Sequence, residues 1–158
     1  MIAQEPKICL ALHNIRSTHN VGAIFRTADA AGVSKIYLCG ITPAPIDRFG
    51  RVRKDIAKSA LGAEKAVEWE SVTETVKLVK FLKRKGWKVY AIEQSKNSIN
   101  YKKIKINSKS VFILGSEVGG IENGLLDLCH QILEIPMKGK KESLNVSVVA
   151  GIVLYQHI

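Results

Sequence analysis

Short apolar runs bounded by turn residues recur along the 158-residue chain and constrain its fold more than any other feature. They lie at residues 8–12, 35–39, 87–92, 111–114 and 132–135. The runs are brief and rich in Val, Ile and Tyr, which is typical of strands that are buried on both faces of a sheet. The sequence therefore predicts five buried strands.

Helical patterns separate these runs. Residues 20–31 are rich in alanine and close at Gly32, and valines 72, 76 and 79 keep a helical spacing in a segment that ends at Gly86. Residues 123–129 indicate a shorter helix. Strands that alternate with helices predict an α/β fold, with a mostly parallel sheet and helices on both faces, and we expect residues 1–158 to form a single domain.

Polar and glycine-rich segments directly follow three of the predicted strands. The first segment contains Asn14, Arg16, His19 and Asn20, the second is Gly-Ser-Glu-Val-Gly-Gly at 115–120, and the third extends from 136 to 145. Ligand sites of parallel α/β sheets lie beyond the carboxyl ends of the strands. The sequence thus predicts a single binding site at this edge.

The chain is strongly basic, with a formal net charge of +10 and a pI near 9.6. Such a charge attracts any polyanion, so RNA, DNA and anionic lipid all remain open at this point. Basic residues are dense between 76 and 109 and again in a loop that contains Arg48, Arg51, Arg53 and Lys54. Either segment is an electrostatic docking surface or simply a solvated one.

Several functional classes do not fit the sequence. The chain has neither the G-x-G-x-x-G nor the G-x-x-x-x-G-K-[ST] pattern of common nucleotide-binding folds. Its three cysteines lack metal-ligand spacing, so we expect no metal. The apolar stretch at 146–155 is far shorter than the roughly 20 residues that cross a bilayer. We therefore expect a cytoplasmic protein with no membrane segment.

In order and content, the three loops resemble the three signature motifs of the SpoU (TrmH-like) branch of the SPOUT methyltransferases. The first motif covers 14–32 with Asn20, Gly22 and Arg26. The second covers 112–124 with a G-x-E core at Gly115 and Glu117. The third covers 135–156 and contains Ser-Leu-Asn at 143–145. Each string is common by chance, whereas three in this order are a specific signal.

The resemblance implies an α/β sheet with a C-terminal trefoil knot, a homodimer, and S-adenosyl-L-methionine as cofactor. The implied activity is methylation of a ribose 2'-hydroxyl in structured RNA, with tRNA favoured over rRNA. Two alternatives stay open: an RNA-binding module that kept the fold without the chemistry, and methylation of a base.

The resemblance also implies residue roles. The catalytic residues would be Arg26, Asn20, Glu117, Ser143 and Asn145. The cofactor-binding residues would be Ile92, Leu114, Gly115, Gly119, Ile135, Met137 and Leu144. The RNA-binding residues would be Asn14, Arg16, His19, Arg48, Arg51, Arg53 and Lys54.

Simpler roles stand beside these. Arg26 can form a surface ion pair, Asn20 can cap the first helix, Glu117 can interact with a helix N-terminus, and Ser143 and Asn145 can cap the last helix. As a catalytic group Arg26 is a poor general base, because guanidinium holds its proton tightly. It is better suited to gripping a phosphate and stabilising a developing alkoxide, while phosphate or water takes the proton.

Overall fold

In the computed structural model, which describes residues 5–158, seven strands form one parallel sheet in the order β3-β2-β1-β6-β4-β7-β5. The strands are β1 (Ile8–His13), β2 (Lys35–Cys39), β3 (Glu68–Val72), β4 (Lys88–Ile92), β5 (Ile99–Asn100), β6 (Ser110–Gly115) and β7 (Gln131–Glu134). The α-helices of this part are α1 (Thr18–Ala30), α2 (Lys54–Ala60), α3 (Ala63–Ala66), α4 (Thr75–Arg84), α5 (Asn123–Leu126) and α6 (Val146–Gln156).

Two hydrophobic cores cover the two faces of the sheet. On one face, alternate residues of the central strands such as Leu10 and Phe112 pack with apolar residues of α1, α2, α3 and α6. On the other face, the intervening residues such as Ala11 and Ile113 pack with α4 and α5. The period of two along each strand sends successive side chains to opposite cores. The α/β fold with helices on both faces is confirmed.

All five predicted strands are present, and two further strands extend the sheet at its edges. The missed strands are β3, most of whose residues are solvent-accessible, and β5, which has only two residues. A strand at the edge of a sheet needs no continuous apolar run, because its side chains can meet solvent. Val72 ends β3, so its assignment to the helix that begins at Thr75 was wrong.

The first helix begins earlier than predicted. Ser17 is its N-cap, and the Ser17 hydroxyl accepts a hydrogen bond from the backbone N–H of Asn20 at 3.1 Å. Asn20 therefore lies inside the first turn, and the expectation that it caps α1 was wrong. The loop after β2 is also shorter than predicted, because Lys54 is the first residue of α2. The trefoil knot stays a prediction.

A close helix contact lies at Gly22, where α1 packs against α2. A Cβ atom at this position would overlap the Ser59 hydroxyl and lie 2.5 Å from the carbonyl oxygen of Ile56. Only a residue without a side chain lets the two backbones approach this closely.

Gly22→Ala is therefore expected to lower the free energy of unfolding by about 1–3 kcal/mol, the usual cost of overpacking a well-packed site. Urea denaturation measures this change. Gly124→Ala is the matched control, because a Cβ atom there meets nothing within 4 Å. Equal stability of the two variants would show that α1 and α2 are not held this close in solution.

Candidate active site

A cavity of about 330 Å³ lies at the carboxyl edge of β4, β6 and β7, closed on one side by the start of α6. This volume is within the range of small-molecule sites. The lining residues are Ile92, Glu93, Gln94, Leu114, Gly115, Ser116, Glu117, Val118, Gly119, Gly120, Glu134, Ile135, Met137, Ser143, Leu144, Val146 and Val149. All seven residues predicted to bind the cofactor are among them, together with two of the predicted catalytic residues, Glu117 and Ser143.

The turn at 116–120, which follows β6, forms one wall of the cavity. The backbone N–H of Gly120 donates to the Ser116 carbonyl at 2.9 Å, and the N–H of Gly119 donates to the Ser116 hydroxyl at 2.9 Å. Gly120 has a φ of 59°, in the left-handed region that favours glycine. The turn folds back so tightly that a Cβ atom on Gly115 would lie 2.5 Å from the Gly120 carbonyl oxygen.

Two residues that the sequence analysis missed, Glu93 and Gln94, tie the cavity walls together. One carboxylate oxygen of Glu93 accepts from the backbone N–H of Ile121 at 3.1 Å, which holds the end of the turn. The Gln94 side-chain amide donates to the carbonyl of Glu142 at 2.8 Å. Both residues follow β4 at the edge where the site was predicted. This position is the sequence feature that could have identified them as site residues.

Three of the predicted catalytic residues meet at the N-terminus of α6. Glu117 accepts from the backbone N–H of Val146 at 3.1 Å, and Asn145 caps the helix by accepting from the N–H of Ser147 at 2.9 Å. The Asn145 amide also donates to the Asn20 side-chain oxygen at 3.2 Å. The simpler capping role of Asn145 is therefore present, and the same contacts bring Asn20, Glu117 and Asn145 together beside the cavity.

A second depression borders the cavity and shares the 116–119 turn with it. Its other lining residues are Asn14, Ile15, Arg16, Ser17, Asn20, Ile41 and Val146. Two predicted RNA-binding residues, Asn14 and Arg16, thus lie next to the candidate cofactor cavity. Part of the Asn14 side chain is structural, because its oxygen accepts from the backbone N–H of Ile41 at 3.1 Å.

Arg26 is not brought to this cavity within one chain. It is exposed and lies with His19, Lys58 and Tyr155 in a different depression, between α1, α2 and the end of α6. Six residues separate Asn20 from Arg26, about 600° of helical rotation, so the two side chains lie about 120° apart around α1. The remaining predicted RNA-binding residues, Arg48, Arg51, Arg53 and Lys54, lie on the segment that leads into α2.

A buried histidine braces the start of α5 behind the turn. His13 Nε2 lies 2.8 Å from the Glu122 carboxylate, and His13 Nδ1 lies 2.7 Å from the Thr75 hydroxyl. Partial burial of Glu122 acts to raise its pKa, but its own backbone N–H and the His13 side chain act more strongly together, so the pKa of Glu122 is lowered. These contacts hold the start of α5 against the end of β1.

Two kinds of feature are absent from residues 5–158. No three His, Cys, Asp or Glu side chains of this part are grouped so that they could hold a metal ion. None of its helices has both the length and the apolar character needed to cross a membrane.

The relatives of this chain include methyltransferases of rRNA and of tRNA. The chain is 31% identical to the 23S rRNA (guanosine-2'-O-)-methyltransferase of Bordetella pertussis over 99% of its own length and 61% of the relative. It is 31% identical to the tRNA (guanosine(18)-2'-O)-methyltransferase of Aquifex aeolicus over 90% of its length and 64% of that protein. The chain thus spans about three fifths of the length of these curated relatives.

The structural comparison agrees. The crystal structure of an AdoMet-bound rRNA methyltransferase from Sinorhizobium meliloti superposes with a TM-score of 0.87 at 29% identity, covering 99% of this chain and 57% of the other. The model of the SpoU rRNA methylase family matches residues 7–155, which include all three loops that line the cavity or border it. On this match the chain belongs to the SpoU rRNA methylase family.

Proposed function

We propose that the protein transfers a methyl group from S-adenosyl-L-methionine to a ribose 2'-hydroxyl of structured RNA in the cytoplasm, and that residues 1–158 form its catalytic domain. The observation that carries the proposal is the single cavity lined by all seven candidate cofactor residues and joined to the depression that holds Asn14, Arg16 and Asn20. Similarity to two named guanosine-2'-O-methyltransferases supports a ribose rather than a base as the target.

The residues present fit the cofactor. Gly115, Gly119 and Gly120 leave backbone without side chains at one wall, and Leu114, Ile135 and Leu144 offer apolar contacts suited to an adenine ring. Three acidic residues, Glu93, Glu117 and Glu134, also line the cavity, which favours a cationic ligand in a chain that is otherwise basic. When bound, S-adenosyl-L-methionine supplies an electrophilic methyl group on a sulfonium centre.

The chain's own residues then have positioning and electrostatic tasks. Ser143 lines the cavity, and Asn145 and Asn20 lie beside it, hydrogen-bonded to each other, so that their donors and acceptors can orient a ribose. Glu117 keeps the start of α6 in place through the N–H of Val146. Arg26 grips a phosphate next to the target ribose and stabilises the developing alkoxide, while phosphate or water accepts the proton.

We infer a homodimer from the position of Arg26. Exposed apolar side chains lie on α6 and near it, with Val148 49% and Tyr155 56% exposed, and Arg26 shares a depression with Tyr155. A second copy packed on this face would cover the apolar residues and carry Arg26 toward its partner's cavity. The separation of Arg26 from Glu117 and Asn145 within one chain supports this arrangement.

For the RNA class we propose tRNA. Purified wild-type protein incubated with methyl-labelled S-adenosyl-L-methionine is expected to label unmodified bulk tRNA more than rRNA. Stronger labelling of rRNA would overturn the tRNA assignment and keep the activity. Cofactor binding without labelling of either RNA would instead support a binding module that lacks the chemistry.

A further inference from the structure

An exposed phenylalanine stands at the tip of the segment between β2 and α2. The ring of Phe49 is 66% exposed, although burying such a side chain is ordinarily favourable. Isolated exposed apolar residues are common, so exposure alone says little. At Phe49, however, two guanidinium groups lie over the ring, with the Arg48 and Arg51 carbons 4.8 and 5.0 Å from its centroid.

Asp47 holds this tip in one shape. Its carboxylate accepts from the backbone N–H groups of Phe49 at 2.8 Å and Arg51 at 3.0 Å, and from the Arg51 side-chain Nε at 3.0 Å. Below the tip, Ile46 and Val52 pair as an antiparallel bridge. The N–H of Arg51 is the main cause that keeps the pKa of Asp47 below its ordinary value. The ring is thus presented on a braced turn.

The two arginines differ in how they are held. Arg51 is anchored by its ion pair with Asp47. Arg48 has no hydrogen-bond or ion-pair partner within residues 5–158, and its guanidinium lies over the ring. Arg48 can therefore leave the ring when a planar ligand group stacks there instead, whereas Arg51 stays beside the ring.

The charge around the ring matches a nucleic acid rather than another copy of this protein. From 48 to 58 the chain carries Arg48, Arg51, Arg53, Lys54 and Lys58 against Asp55. The same basic surface on a second copy would be repelled, whereas surfaces that bind single-stranded nucleic acid combine basic groups with aromatic rings. Ile41, at the start of this segment, lines the depression beside the cofactor cavity.

We propose that Phe49 is a stacking platform for one unpaired base of the RNA, with Arg51 fixed beside the ring and Arg48 released to pair with a phosphate. Every base has a π-face, so this contact favours unpaired nucleotides without selecting a base. The inference rests on the proposed function for its ligand and adds the place where an unpaired base docks.

The test compares two probes with the full-length protein: a fluorescein-labelled single-stranded RNA of about 12 nucleotides, within the usual range of single-strand site sizes, and the same strand in a duplex. By fluorescence anisotropy, Phe49→Leu is expected to weaken single-strand binding about tenfold, as expected for the loss of one base–aromatic stack, and to leave duplex binding unchanged. Phe49→Trp should keep wild-type affinity.

Phe81→Leu is the matched control. Phe81 is 46% exposed on α4, has Lys85 over its ring at 5.7 Å, and lies on the helix that covers the opposite face of the sheet. Its substitution should leave both probes bound as in the wild type. Unchanged single-strand affinity of Phe49→Leu, or equal loss for both probes, would overturn the platform. A change in oligomeric state on Phe49→Leu would also overturn it and assign the ring to a protein contact.

The platform and the proposed activity can fail separately. If the wild type transfers methyl groups and Phe49→Leu binds the single strand normally, only the platform is wrong. If no RNA is methylated while single-strand binding depends on Phe49, the platform stands and the proposed activity is wrong.

Discussion

Arg26→Ala should reduce methyl transfer to RNA by about 100- to 1000-fold, the usual cost of removing one group that stabilises charge developing in a transition state. Its affinity for S-adenosyl-L-methionine should not change, because Arg26 does not line the cavity. Single-turnover transfer and calorimetric titration of the cofactor measure the two effects.

Arg84→Ala is the control for loss of a positive charge. Arg84 is an exposed arginine at the end of α4, and it lines neither the cavity nor either depression. It should transfer methyl groups within a few-fold of the wild type. If Arg26→Ala also retained wild-type transfer, Arg26 would be a surface residue without a catalytic role.

Mixing two inactive variants tests whether Arg26 acts on the partner's cavity. Arg26→Ala keeps an intact cavity and lacks the arginine. Gly115→Ala keeps Arg26 but has a deformed cavity. If Arg26 acts across the dimer, subunit exchange creates one complete site in each mixed dimer and activity returns. If Arg26 acts within its own chain, no mixed dimer contains a complete site and the mixture stays inactive.

Gly115→Ala is expected to weaken binding of S-adenosyl-L-methionine by at least about 100-fold. A Cβ atom would lie 2.5 Å from the Gly120 carbonyl oxygen and 2.7 Å from its carbon, and backbone atoms cannot give way as a flexible side chain can. The turn must therefore shift and deform one wall of the cavity. A displaced wall loses most of its contacts with the bound cofactor.

Gly119→Ala controls for this substitution within the same turn. Its Cβ atom would meet only the Ser116 hydroxyl, at 3.2 Å, and Gly119 does not have a positive φ. We expect a loss of cofactor affinity of less than about tenfold, or about 1.4 kcal/mol. Circular dichroism should show both variants folded. Similar affinities for the two variants would contradict the tight return of the turn onto Gly115.

The central strands could be predicted from sequence because burial on both faces requires continuous apolar runs. β1 is buried at every residue, and its run was visible directly. At the sheet edge, β3 is exposed or only partly buried at every residue, and β5 is too short to give a pattern. The helix α2 was missed because its residues follow a loop rich in glycine, proline and arginine that concealed its start.

Residues of the candidate site could be predicted when their position at the sheet edge was sufficient to identify them. They could not be predicted when their role depends on a contact between distant segments. The loops after β6 and β7 do line one cavity. The roles of Glu93 and Gln94 rest on hydrogen bonds to Ile121 and Glu142, which local sequence patterns do not reveal. The position of Arg26 could have been predicted, because helical geometry alone directs its side chain away from that of Asn20.

The most direct test of the account is to find where the methyl group is attached. RNA labelled by the wild-type protein can be digested to nucleosides and analysed by mass spectrometry, with fragmentation at the glycosidic bond separating base from sugar. We expect the added methyl group on the ribose fragment, and about 100- to 1000-fold slower formation of this product by Arg26→Ala. A methyl group on the base fragment would contradict the proposed reaction, even with the fold and the cofactor correctly assigned.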